Sequence, residues 1–211
     1  MKKILIPIFI LMFQLSLKAQ VDHTSKMSQD TILKNELESI RMRDQALRLL
    51  LPEVESKFGK ESKEIKYFWS LIHSQDSINE IEVTKIIDQY GWIGANRVGD
   101  LANQALWLVI QHAPIEIQEK YLPVLKQSVV KGESEGWYLA FLEDRIYMRR
   151  GEEQIYGSQT KFNNLTGKFH IYPIKDVGSV NERRRKIGLE PIEEYAMKNG
   201  YVFDQKEKVK H

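Results

Sequence analysis

The strongest constraint in this sequence is a conflict that occurs three times: an apolar helical stripe, of the kind that faces a core, carries one ionisable side chain. Between Gly99 and Pro114, Leu101, Ala105, Leu108 and His112 recur at helical spacing and share one face. Asp44 stands in the same way on the stripe Leu33, Leu37, Ile40, Leu47 and Leu51, and Arg145 on the stripe Tyr138, Phe141, Leu142 and Met148. An isolated charge is too costly to leave unpaired in an apolar interior. The pattern therefore predicts that a carboxylate, an imidazole and a guanidinium from three helices meet in a buried polar cluster.

Apolar steps of three and four predict a helix over residues 32–51, ended by Pro52. A second is expected over 61–73, broken by the polar run Ser74-Gln75-Asp76-Ser77, and a shorter one carrying Ile81, Val83, Ile86 and Ile87 stops at Gly91. The segment 97–113 halts at Pro114, 115–130 follows with a kink or restart at Pro123, and 135–149 is dense in aromatics. The character then changes. Residues 154–162 and 168–174 flank a turn-rich gap and read as an antiparallel β-hairpin, with Pro173 placing its strand at an edge. Asn164-Leu165-Thr166 matches a glycosylation pattern but reads as the turn. Two short helices, over 180–187 and 191–198, complete the chain. The expected fold is mainly α: a single helical domain over 32–200 with a small antiparallel β-hairpin at 154–174, a polar linker at 20–31 and a basic tail at 201–211.

Lys2 and Lys3 precede an apolar run over residues 4–17, and Ala19 follows at a small-residue cleavage position. That layout is a signal peptide over 1–19, cut after Ala19, and it predicts a periplasmic or secreted protein. The run is too short to favour a membrane span, so the mature chain is expected to have none. Loss of Lys2, Lys3 and Lys18 turns the formal charge of +2 into 28 basic against 29 acidic residues, or −1. Without a basic excess there is no surface for phosphate backbones, which sets nucleic acid aside as a partner. The absence of cysteine excludes a disulfide framework, thiol catalysis and a lipid-modified N-terminal cysteine, so stability has to come from packing.

His112 is the first catalytic candidate, because an imidazole moves protons near neutral pH and Asp44 or Asp144 could orient it. The blander account is a core histidine satisfied by one carbonyl. Asp44 and Arg48 lie one turn apart, in the order that supports a local ion pair. Arg145, with Arg48 or Arg184, is suited to hold an anionic group, and Gln45 and Gln111 stand beside these residues. Gln154, Tyr156 and Gln159 place an amide-rich strand where it could cover a small polar substrate. Gly157 permits close backbone approach, either to a ligand or to a helix. Of the basic run Arg183-Arg184-Arg185-Lys186, one or two side chains can reach inward to Asp144 or an anionic ligand, and the others are solvated. No metal site is expected, since there is no His-x-x-x-His or His-Glu-x-x-His pair and the arginines repel a cation. No serine elbow, phosphate loop or dinucleotide fingerprint is present, so no cofactor is expected.

Several short motifs occur along the chain: Arg43-Asp44-Gln45 with Arg48, Tyr90-Gly91-Trp92, Gln111-His112, Asp144-Arg145, Gln154-Ile155-Tyr156-Gly157-Ser158-Gln159, and Val180-Asn181-Glu182-Arg183-Arg184 with Gly188-Leu189 and Tyr195. Taken together and in order, they resemble the bacterial domain-of-unknown-function 6624 family. Ser158 stands where the family usually has threonine, and Ile187 where it has leucine; neither change removes a candidate polar group. The resemblance covers about residues 32–195 and implies a shared polar constellation without an activity. Two functions are therefore carried forward. One is an exported, hydrolase-like or small-ligand site that takes an anionic or polar molecule. The other is a non-catalytic envelope interaction domain, in which the same cluster is an internal brace and the protein partner is unknown.

Overall fold

The computed structural model describes residues 5–204, and side chains from residue 29 onward; the first four residues of the expected leader and residues 205–211 of the expected tail lie outside the described residues. The chain is mainly helical. Two long helices, α1 (Leu5–Phe58) and α2 (Lys63–Tyr90), pack along each other, and α1 also lies along α4 (Asp100–His112). Between them the short α3 (Ala95–Val98) ends at Gly99, whose φ of 83° permits the turn into α4. Next, α5 (Ile115–Val130) and α6 (Gly136–Arg149) pack against each other and close the bundle. Its core is the interlocked apolar faces, including Leu37 and Ile40 of α1, Val83 of α2, Leu106 and Ile110 of α4, Leu125 of α5 and Leu142 of α6.

Several boundaries differ from expectation, each for a local reason. α1 runs through Pro52 and also through the segment 20–31 that reads as a linker. A proline costs a helix one backbone hydrogen bond at that point, and α1 continues for six more residues beyond it. The polar run 74–77 does not interrupt α2, because three of its side chains make bonds compatible with the helical conformation. Asp76 meets Arg48 of α1, Gln75 donates to Asn79, and Ser77 donates to the carbonyl of His73. Gly91 does end the helix, with φ 71°.

The hairpin is shorter than the pattern suggested. β1 (Thr160–Asn163) pairs antiparallel with β2 (Lys168–Ile171), Thr160 opposite Ile171. Residues 154–159 are not a ladder strand, since their backbone donors are used elsewhere, as described below. The turn at 164–167 is held by Asn163 Oδ1, which accepts from the backbone of Leu165 and Thr166. After a short 3-10 turn (Val177–Ser179) come α7 (Val180–Lys186) and α8 (Ile192–Asn199). Together with the hairpin they enclose a second, smaller core of Ile171, Ile174, Val180, Ile192 and Ala196. Gly157 packs on it: at φ 78°, a Cβ here would come within 2.6 Å of the Ile192 side chain and 2.7 Å of Ile174. The close approach is thus to a helix. No helix among the described residues is long and apolar enough to cross a membrane.

Candidate functional site

Asp44 is carried inward by α1. Leu33, Leu37 and Ile40 are buried on the preceding turns, and the same stripe leaves Asp44 only 1 % exposed. Its Oδ1 lies 3.0 Å from His112 Nδ1, and Gln45 Nε2 donates to its Oδ2 over 2.6 Å. Arg48 donates to the Asp44 carbonyl over 2.9 Å and keeps Nη1 3.7 Å from Oδ1. Burial drives the carboxyl pKa upward, but the hydrogen bond and charge of His112, the charge of Arg48 and the Gln45 amide together outweigh it. The net result is a value below the ordinary 3.8. An ionised carboxylate only accepts, so in the neutral ring the proton sits on Nδ1 and Nε2 is an acceptor. His112 reaches this position as the last residue of α4 and is 20 % exposed, so solvent touches the pair from one side.

A second carboxylate joins from α2. Arg48 Nη2 donates to Asp76 Oδ2 over 2.8 Å, while the buried Asp76 Oδ1 has no hydrogen-bond partner among the described residues. One donor atom from each of Asp44, Asp76 and His112 falls within 4.8 Å of the other two.

On the α6 side, Gln111 donates to the Phe141 carbonyl over 3.3 Å, and its buried Oε1 is unpartnered among the described residues. One turn beyond Phe141, Arg145 buries its Nε, again without a partner among those residues. Arg149, a further turn on, donates to the carbonyl of Ala113, which follows His112, over 2.9 Å. Burial, then the like charges of Arg149 and Arg48, push the Arg145 pKa down to about 10. The arginine that the pattern expected to be bridged between helices is therefore a half-buried cation facing other cations.

Asp144 of α6 is fully enclosed, at 0 % exposure. Its Oδ1 accepts from the backbone of Ile155 (2.7 Å) and Tyr156 (2.9 Å), and its Oδ2 from Ser158 (2.8 Å). Burial pushes its pKa up, and these three donors oppose that rise. Gln154 locks the loop around it: Oε1 accepts from the Gln159 backbone (2.8 Å), and Nε2 donates to the carbonyls of Gln159 (3.0 Å) and Tyr172 (2.6 Å). Gln159 in turn donates to the Phe141 carbonyl that Gln111 also uses. Arg184 turns inward, donating to the carbonyls of Glu190 (2.6 Å) and Tyr156 (2.7 Å), with its guanidinium carbon 4.9 Å from the centre of the Tyr195 ring. Arg183 also reaches in, to the Ile155 carbonyl, whereas Arg185 and Lys186 are exposed. The Tyr156 hydroxyl bonds Glu143, and burial raises the pKa of both.

The eleven candidate residues thus divide. Asp44, Gln45, Arg48 and His112 are joined by direct contacts, with Gln111 next to His112 in sequence and Arg145 within reach of the charge of Arg48; Asp144, Gln154, Tyr156, Gln159 and Arg184 form another cluster, and Gln111 and Gln159 share the Phe141 carbonyl. The helical stripe assigned the buried polar place on α6 to Arg145. Asp144 takes it because a loop with spare N–H groups covers that face, and only an acceptor fits there. Two residues of the first site escaped the sequence reading. A break placed at 74–77 hid Asp76, which on a continuous helix shares the stripe Ile65, Ile72, Asn79, Val83 with the same polar anomaly. Arg149 resembled an ordinary last-turn cation, and only the fold brings the Ala113 carbonyl to it.

The family model described as "Family of unknown function (DUF6624)" matches residues 31–207. No curated protein and no solved structure matches the chain.

Proposed function

Because the chain belongs to the DUF6624 family, whose function is unknown, its chemistry has to be argued from its own side chains, and we propose an exported, hydrolase-like protein that binds a small anionic substrate between His112 and Arg145. The observation that carries this reading is Arg145. A half-buried guanidinium whose buried Nε has no partner among the described residues, and which feels the like charges of Arg149 and Arg48, is electrostatically unfavourable as it stands, and a bound anion offsets that cost. The Asp44–His112 pair lies alongside and is open to solvent on one side. In this role Asp44 holds the ring through Nδ1, and Nε2 takes a proton from water as the water oxygen bonds to the electrophilic atom of the substrate and the bond from that atom to its leaving group breaks. The same proton then passes to the leaving group. The free Gln111 Oε1 suits a donor on the substrate. Export is supported by the Lys2-Lys3 leader and the small residue at Ala19.

The alternative reading, an internal brace in an envelope interaction domain, is favoured for the other cluster, where Asp144 is saturated by backbone donors. The two readings separate in one experiment on the full chain: titration with inorganic phosphate, followed by NMR of the arginine Nε–H and histidine ring signals. The expected outcome is a shift of the Arg145 and His112 signals, with His112→Gln keeping or raising the melting temperature and abolishing hydrolysis of a chromogenic phosphomonoester. Unmoved Arg145 signals, together with a His112→Gln variant that fails to fold, would overturn the assignment.

A further inference from the structure

We infer that Asp44, Asp76 and His112 form a binding site for one divalent transition-metal ion, of the zinc or manganese class, beside the anion site. The inference rests on the reading of this cluster as a ligand site and adds to it the ion that would activate water there.

The donors come from three different helices, α1, α2 and α4, and one atom from each already lies within 4.8 Å of the others. How the remaining oxygens are used is the more specific argument. Asp44 Oδ2 is held by Gln45, and Asp76 Oδ2 by Arg48. Each carboxylate is thus fixed through one oxygen; Asp44 Oδ1 faces His112 with Arg48 Nη1 farther off at 3.7 Å, and Asp76 Oδ1 is buried without a partner among the described residues. Outer contacts of this kind orient ligands in metal sites. The 3.0 Å between Asp44 Oδ1 and His112 Nδ1 also suits neighbouring ligands, because donors at right angles around an ion with bonds of about 2.1 Å sit about 3 Å apart. On binding, the ring proton moves from Nδ1 to Nε2, so in the metal-bound chain the ion, by lowering the pKa of its water, replaces Nε2 as the means of activating it.

The arginines do not forbid a cation here. Arg48 is already engaged by the Asp44 carbonyl and Asp76, so two carboxylates against one guanidinium leave the immediate site negative. Arg145 and Arg149 lie toward α6, where they would face the anion. A mixed nitrogen–oxygen set with three protein ligands favours zinc or manganese over magnesium, and it leaves coordination positions open to water.

The test is calorimetric titration of the chelator-stripped full chain with zinc chloride and with manganese chloride, each alone. One ion should bind per chain, Asp76→Asn should weaken binding at least about tenfold, and the exposed control Glu182→Gln should leave it unchanged. Paramagnetic manganese should broaden the His112 ring signals in the wild-type chain and spare those of His73 and His170, a readout that does not depend on any variant folding. Absence of stoichiometric binding, or broadening that misses His112, overturns the metal site. If phosphate still shifts Arg145 in that case, the anion site stands and water activation stays with the Asp44–His112 pair; if metal binds and phosphate leaves Arg145 unmoved, the metal site stands and the anion site falls.

Discussion

Asp144 and Arg145 are neighbours in sequence and belong to opposite kinds of polar cluster. Around Asp144 the donors and acceptors are matched: three backbone N–H groups meet its carboxylate, and Gln154 and Arg184 are bonded to backbone at each end. Around Arg145 they are not, and the buried atoms without a partner among the described residues include Arg145 Nε, Gln111 Oε1 and Asp76 Oδ1. None of the atoms so left belongs to Asp144, Gln154, Ser158, Gln159 or Arg184. The same residue types therefore serve two purposes, and polar saturation, more than composition, separates a brace from a site.

This contrast orders the expected effects of substitution. The largest is Asp144→Asn, which keeps the shape but removes the charge and brings an amide N–H toward backbone donors. Chemical denaturation should show a loss of about 3–5 kcal/mol, and a loss below about 1 kcal/mol would erase the distinction. Arg184→Met comes next, because it leaves the carbonyls of Glu190 and Tyr156 without donors and ends the contact with Tyr195. About 2–3 kcal/mol is expected, with the hairpin amides exchanging faster than those of α4.

A smaller effect is tied to pH. The Asp44 carboxyl has a folded pKa below its ordinary value, so the stability it adds is present above pH 3.8 and is lost as the pH falls through the lower, folded value. Acid titration of stability should therefore be flatter in that window for Asp44→Asn than for the wild type. A steeper acid limb in the variant would mean that Asp44 is held protonated instead. The smallest effect is Arg145→Met, which removes an uncompensated charge and retains apolar bulk; stability should stay within about 1 kcal/mol of wild type or rise.

Much of this was legible in the chain because hydrophobic period reports which face of a helix is covered. It placed Asp44 on a buried face beside His112, gave the bundle and the hairpin as elements without their limits, and gave the two closing helices within a residue of their observed ends. It failed where a buried face is covered by something other than a helix. Asp144 is enclosed by a loop whose free N–H groups leave no periodic trace, so the stripe pointed to its neighbour. Residues 154–159 alternate like a strand, yet their donors go to that carboxylate. Asp76 was obscured for a related reason. A run of four polar residues reads as a break, although two of them are satisfied within α2 and Asp76 meets Arg48 across the helix pair.

Arg145 as the anion-binding residue and Asp144 as the brace are compared most directly by measuring both denaturation free energy and phosphate affinity for Arg145→Met and Asp144→Asn. The predicted result is that Arg145→Met folds as stably as wild type and loses phosphate binding at least about tenfold, while Asp144→Asn loses several kcal/mol. The contradicting result is an Arg145→Met variant that is destabilised as much as Asp144→Asn and binds phosphate no differently from wild type.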